Sequence, residues 1–146
     1  MKQANPSAGF TLIEVMVATA VSAIVASVAY PAFTGSVQKI RRADALVAVM
    51  QVQQAQERWR SNSHAYATLP ELALPAAVAG GNYVLSVDRP SATGYEVLAS
   101  AAGAQAGDRQ CRYMKLSVEG GNFDYSSGQT AAVDNNAQAN RQCWNL

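Results

Sequence analysis

Charge is scarce in this chain. Asp, Glu, Lys and Arg together make up 14% of its 146 residues, against roughly 25% in soluble domains. The formal net charge of +1 excludes a strongly basic nucleic-acid protein, and the 49% hydrophobic content excludes a disordered acidic tail and suits a single domain. One histidine and no cluster of Cys, Asp or Glu exclude a multi-ligand transition-metal site. G-x-S-x-G, H-E-x-x-H, the phosphate-binding G-x-x-x-x-G-K-[ST] and the dinucleotide glycine fingerprint are all missing. His64, beside Ser63 at the expected end of a long helix, reads as a solvated or dipole-capping residue rather than a general base. No enzyme activity, catalytic residue, metal or cofactor is therefore expected. Asp134-Asn135-Asn136 offers oxygen ligands, but the remaining ligands of a calcium loop, its Glu included, are lacking.

The missing charge is missing mainly from one place. Between Glu14 and Lys39 no Lys, Arg, Asp or Glu occurs, and residues 10–33 read FTLIEVMVATAVSAIVASVAYPAF. This run matches the roughly 20 apolar residues that a helix needs to cross a bilayer. A short polar piece with Lys2 precedes it and ends in Ser7-Ala8-Gly9. A secretory signal is the rival reading, with Ser27-Val28-Ala29 resembling its cleavage site. The run, however, exceeds the roughly 7 to 15 residues of a signal core and carries Glu14 near its start. Glu14 itself has two readings. It can be an acid at the interface, favoured by the positive end of the helix dipole, or it can await a counter-charge in lipid. Cleavage after Gly9 would create such a charge, a new amine on Phe10 available to a neighbouring chain. Pro31 either ends the helix or marks a weak point in a continuing one. The second is preferred, because helical patterning resumes beyond it.

Gly9-Phe10-Thr11-Leu12-Ile13-Glu14 resembles the processing motif of type IV pilins and related pseudopilins. The resemblance implies that a membrane prepilin peptidase cleaves after Gly9 and that Phe10 becomes a methylated N-terminus. It further implies that Glu14 forms an assembly salt bridge and that Pro31 is the helix-weakening proline of the family. The expected partners are other pilin subunits, the peptidase, the inner-membrane assembly machinery and, before assembly, membrane lipid. The expected location is a single-pass inner-membrane protein with a periplasmic C-terminal domain, then an extracellular pilus. Lys39, Arg41 and Arg42 oppose that orientation by the positive-inside rule, which is overruled here by the cysteines and the resemblance. These three cations are assigned to lipid headgroups or to acids of neighbouring subunits.

The remainder divides by texture. No Pro or Gly occurs from Val37 to Tyr66, and Ile40, Ala43, Val47 and Met50 form a stripe at helical spacing. The expected organisation is a leader at residues 1–9, a membrane or filament-core helix at 10–33, an amphipathic half at 34–66, and a β-sheet head at 67–146. Pro70, Pro75 and Gly80-Gly81 mark a loop. Alternating patterns then predict strands over Tyr83–Val87, Tyr95–Ala99, Arg112–Val118 and Phe123–Tyr125, with Gly120-Gly121-Asn122 as a hairpin turn. Met114, Leu116 and Val118 are expected to cover the helix. The fold class is thus α+β, a pilin-like long helix on a four-stranded antiparallel sheet.

Cys111 and Cys143 are the only cysteines. They lack zinc-ligand spacing, which leaves a disulfide or two free thiols, and an oxidising periplasm favours the disulfide. It would tie down a tail rich in Ala, Asn and Gln, as pilins do with their C-terminal loop. QERWRSNSHAYATL, GYEVLASAAGAQAGDRQCRYMKLSVEGG and the terminal Gln142-Cys143-Trp144 resemble minor pilins of the PilE kind. The function this implies is a minor subunit of a type IV pilus, serving assembly, adhesion, motility or DNA uptake. Two alternatives stand beside it. One is a DNA-binding pilus receptor using Arg109, Arg112 and Lys115, near Arg141, Tyr113 and Trp144. An ordinary mixed surface is preferred there, because Asp108, Glu119, Asp124 and Asp134 lie close in sequence and offset the cations. The other is a type II secretion pseudopilin, disfavoured by the disulfide and the tail.

Overall fold

The computed structural model describes residues 9–144. The expected leader therefore lies outside the described residues except for Gly9. Helix α1 (Leu12–Arg60) is followed by strands β1 (Tyr83–Asp88), β2 (Gly94–Ala101), β3 (Tyr113–Glu119) and β4 (Asn122–Gly128), and by a short helix α2 (Ala137–Cys143). The chain divides into two compact units, Met1–Ser36 and Val37–Leu146, with residues of α1 in each.

In the first unit the described residues are helical from Leu12, and nearly every one is exposed. It is long and apolar enough to cross a membrane. Its hydroxyls are turned back onto the helix: Thr19 donates to the Met16 carbonyl at 3.0 Å, Ser22 to Ala18 at 2.8 Å and Ser27 to Ile24 at 2.7 Å. Polar atoms that would be costly in hydrocarbon are thereby satisfied within the segment. Pro31 stands inside α1 and does not end it, as preferred from the sequence. Its ring supplies no N–H for the carbonyl one turn earlier.

The second unit is an antiparallel meander in the order β1-β2-β3-β4. Tyr83 and Leu85, Tyr95, Val97 and Ala99, and Met114, Leu116 and Val118 form one buried face, as alternation requires. The α1 face in the same core is Ala45, Val49 and Val52, with Ala55 and Gln56 also buried. This corrects the expected stripe. Ile40, Val47 and Met50 are 65%, 54% and 48% exposed, and Ala43 is exposed too. Small side chains let the helix lie close against a sheet already bearing Tyr83, Tyr95 and Met114, so the bulky residues point away.

The helix also stops at Arg60, short of the expected residue 66. Arg60 donates to the Ser63 carbonyl at 2.6 Å, and the Tyr66 amide donates to Ser91 at 2.8 Å. Ser61, Asn62 and Ser63 favour such local bonds over helix continuation. Gln56 then clamps the returning chain through both the amide and the carbonyl of Ala67, at 2.9 and 2.7 Å.

The predicted strands are all present, with β4 longer than expected, to Gly128. Gly120 and Gly121 turn the β3–β4 hairpin at φ of 56° and 83°, the left-handed pair that a type I′ turn needs. Gly94 is required by a close approach instead, since a Cβ there would lie 2.2 Å from the Val118 carbonyl oxygen. Both sheet edges are partly covered. Ala76 and Val78 bond along β1, while Asn140 and Trp144 donate to the carbonyls of Tyr125 and Ser126 in β4 at 2.6 and 3.1 Å. Such cover blunts the edges against pairing with foreign strands.

Candidate functional site

Two regions carry the residues singled out in the sequence. At the N-terminal end of α1, Thr11 caps the helix. The Glu14 carboxylate accepts from the Thr11 amide at 2.7 Å and from its hydroxyl at 2.8 Å, and the Glu14 amide donates back to that hydroxyl at 3.3 Å. This reciprocal pattern is a capping box. Thr11 was not singled out from the sequence, although Thr-x-x-Glu ahead of an apolar run is its signature. The box holds the Glu14 carboxylate beside the residue that follows Phe10. Phe10 is 89% exposed, and a Cβ added to Gly9 would meet nothing within 4 Å. Folding thus places no demand for glycine at position 9.

The second region is the disulfide end of the Val37–Leu146 unit. Cys111 and Cys143 are bridged, joining the segment before β3 to the end of α2. Above the bridge, Asp108 is 1% exposed. It accepts from Arg42 Nε at 2.6 Å and from an Arg42 terminal nitrogen at 2.8 Å. Gln105 reaches it at 2.9 Å, and the amides of Gln110 and Cys111 at 3.1 and 3.2 Å. Burial alone would raise the Asp108 pKa. The Arg42 hydrogen bonds, the Cys111 amide, the Arg42 charge and the Gln110 amide outweigh it and hold the carboxyl below its ordinary value. Tyr83 completes the network by donating to the Cys111 carbonyl at 3.0 Å. Burial pushes its phenol up, against a smaller lowering by Gln105.

This network corrects two sequence expectations. Arg42 does not face lipid or a neighbouring subunit, because it is bound to Asp108. For the same reason Asp108 does not offset Arg109 and Arg112. Of the other acids, Glu119 accepts from Thr93 at the opposite, hairpin end at 2.7 Å, and Asp124 is bound by Asn135. Asp134 does stand close, lining one groove with Arg109. Lys39, Arg41, Arg109, Arg112, Lys115 and Arg141 form no salt bridge among the described residues. Arg109 and Arg112 flank Cys111 and are exposed, whereas Lys115 is half-buried on the outer sheet face, opposite Leu98 and Ser126. Tyr113 lies nearby, but Trp144 does not belong to this surface. It is 1% exposed and packs edge-on against Tyr125.

Between the Arg109–Gln110 segment, the end of β4 and α2 lies an open groove of about 450 Å³. Its polar lining is mainly carboxamide: Gln110, Gln129, Asn136, Gln138 and Gln142. α2 was not foreseen as a helix. It is capped by Asn136, whose side chain accepts from the amides of Gln138 and Ala139, and pinned by Asn140, which binds Ser127 at 2.9 Å. No group of His, Cys, Asp and Glu among the described residues is arranged to hold a metal ion.

Two family models match the chain. One is described as "Prokaryotic N-terminal methylation motif" and covers residues 4–30. The other is described as "Type IV minor pilin ComP, DNA uptake sequence receptor" and covers residues 31–115. Comparison with curated proteins gave no significant match. The second model spans more than half of the sequence and ends within β3, short of α2. With the long N-terminal helix, the four-stranded meander and the disulfide-closed C-terminal region, it establishes that this chain belongs to the type IV minor pilin ComP family.

Proposed function

We propose that this minor pilin is stored in the membrane, assembled into a type IV pilus, and takes part there in DNA uptake by holding DNA at its disulfide end. The role is structural and binding rather than catalytic. The observation that carries the DNA reading is the withdrawal of Asp108 by Arg42, which leaves Arg109 lining an open groove and Arg112 exposed on the other side of Cys111. Membership of a family of DNA uptake sequence receptors supports it. Phosphates would sit on these cations, with Lys115 extending the contact.

The experiment is DNA binding by the full chain in detergent over a range of salt. Replacing Arg109, Arg112 and Lys115 together by Ala should weaken duplex binding and lower the slope of log K against log salt by up to roughly 2.7, at about 0.9 per phosphate contact. Unchanged affinity and slope would refute the assignment.

The N-terminal region supports the assembly half. An unconstrained Gly9 suits a peptidase site, and the amine released on Phe10 would face Glu14 of a neighbouring subunit. Residues 1–9 would be lost as leader, residues 10–33 would pass from lipid into a filament core, and Pro31 would be the point where that helix yields. The head would begin past Arg60, where α1 ends. Peptidase, assembly machinery and other pilins are the partners this route needs, with the head on the periplasmic side and then on the pilus. Heterologous packing of such helices gives an open helix rather than a closed ring. Nothing in the fold favours the secretion-pseudopilin alternative.

A further inference from the structure

We propose that the C-terminal end of α1 carries a saccharide-binding site, in which Trp59 stacks on the apolar face of a neutral pyranose while Arg58, Asn62, Ser63 and Glu71 bond its hydroxyls. These residues line a surface cleft of about 360 Å³, the size of a small-ligand site. Trp59 follows Arg42 by 17 residues on α1, about 25 Å along the helix axis. The cleft shares no lining residue with the groove beside Arg109. It is therefore separate from the proposed DNA surface and does not depend on it.

The cleft combines an apolar bed with a polar rim whose bonding capacity is unspent. Ala55, 7% exposed, and Leu72, packed against the core, form the bed, and Trp59 stands beside them, 36% exposed. On the rim, Glu71 accepts from the Thr68 amide and hydroxyl, each at 2.7 Å, with Oε2 alone, which leaves Oε1 without a partner. The Asn62 side chain donates to the Ser61 hydroxyl at 3.1 Å and keeps Oδ1 free. Ser63 accepts from Arg60 through its carbonyl, so its hydroxyl is available. Arg58 forms no salt bridge among the described residues. The groups that are spent hold the others in place, so the rim is preorganised for a ligand.

This donor and acceptor set selects the ligand class. A pyranose has C–H groups on its face, which the negative quadrupole of an indole face attracts, and hydroxyls at its edge that both donate and accept. The rim offers both complements, donors in Arg58 and Ser63 and acceptors in Asn62 and Glu71. A wholly apolar ligand would strip water from these groups and return no hydrogen bonds. A phosphate would meet the Glu71 carboxylate, which the Thr68 hydroxyl and amide hold below its ordinary pKa and hence ionised at neutral pH. Arg58 and Glu71 balance one another, and the remaining lining residues are uncharged. A neutral, polyhydroxylated ring satisfies all of these conditions together.

The test is calorimetric titration of the full chain with cellotriose, maltotriose and chitotriose, in dodecylphosphocholine because that detergent has no sugar headgroup. At least one of the three should bind saturably and change the tryptophan emission through Trp59, since Trp144 is 1% exposed and out of reach. Trp59→Ala should weaken that binding about 10-fold, and Trp59→Phe, which keeps a smaller ring, should weaken it less. The near-UV signal of Trp144 against Tyr125 reports whether each variant is folded, and the emission change in the native chain tests the same contact without any substitution. The proposal is overturned by the absence of saturable binding of all three sugars, or by equal affinity in folded Trp59→Ala. Binding heat with no change in emission would also overturn it, as would tighter binding of a sulfated heparin hexasaccharide than of any neutral probe.

Discussion

Arg42→Ala should unfold the head far more easily than its position on a largely exposed helix suggests. Arg42 and Asp108 are 66 residues apart and joined by two hydrogen bonds of 2.6 and 2.8 Å. The substitution leaves a carboxylate that is 1% exposed without its counter-ion. Losing one partner of a buried pair costs about 3–5 kcal/mol, much of the roughly 5–15 kcal/mol a domain has. At about 4 °C per kcal/mol for a head of this size, Tm should drop by roughly 12–20 °C. Urea unfolding of the full chain in detergent, with the disulfide intact, would follow the near-UV signal of Trp144 against Tyr125. Asp108→Asn combined with Arg42→Ala should cost less than the two singles added, by about 0.5–3 kcal/mol, because neither charge is then stranded. The pH dependence has a definite sign. The folded carboxyl is held below its ordinary value of 3.8, so its contribution is present above that pH and is lost as pH falls through the folded value. The gap between native and Arg42→Ala chains should therefore narrow in acid. A loss under about 1 kcal/mol, or a gap constant into strong acid, would refute the reasoning.

Three further outcomes are expected. Replacing Cys111 and Cys143 together by Ser opens a loop with a sequence separation of 32 and should cost about 3–4 kcal/mol in the chain-entropy model, with hydrogen exchange speeding up in α2 before the sheet. Tyr95→Phe should leave stability unchanged or raise it by about 1–3 kcal/mol, as its hydroxyl is buried without a hydrogen-bond partner among the described residues, and a clear loss in urea unfolding would contradict this. Glu14→Ala should leave the membrane-inserted form intact and abolish its recovery in sheared pili, whereas normal recovery would remove Glu14 from assembly.

The strands were legible because each alternates over a single buried face. Tyr83 and Leu85, or Met114, Leu116 and Val118, announce themselves at a period of two. The apolar run was legible from charge alone. The α1 core face was misread because periodicity identifies a face without choosing between neighbouring ones. Bulk drew attention to Ile40, Val47 and Met50, while the sheet's large side chains had already filled the interior and left room for Ala45 and Val49. α2, AQANRQC, has helix-forming Ala, Gln and Arg and an Asn136 cap but is too short to show an apolar stripe, and its order comes from the tertiary contacts of Asn140, Cys143 and Trp144. The Arg42–Asp108 pair was beyond local reading, and with it the reason that the cations near Cys111 are less balanced than composition suggests. Thr11 could have been found, since its partner Glu14 was already in view.

The most direct measurement is the intact mass and N-terminal sequence of this chain recovered from purified pili. The expected subunit begins at methylated Phe10 and has the Cys111–Cys143 bridge closed. A chain retaining residues 1–9, or one beginning beyond the apolar run near Tyr30, would contradict it.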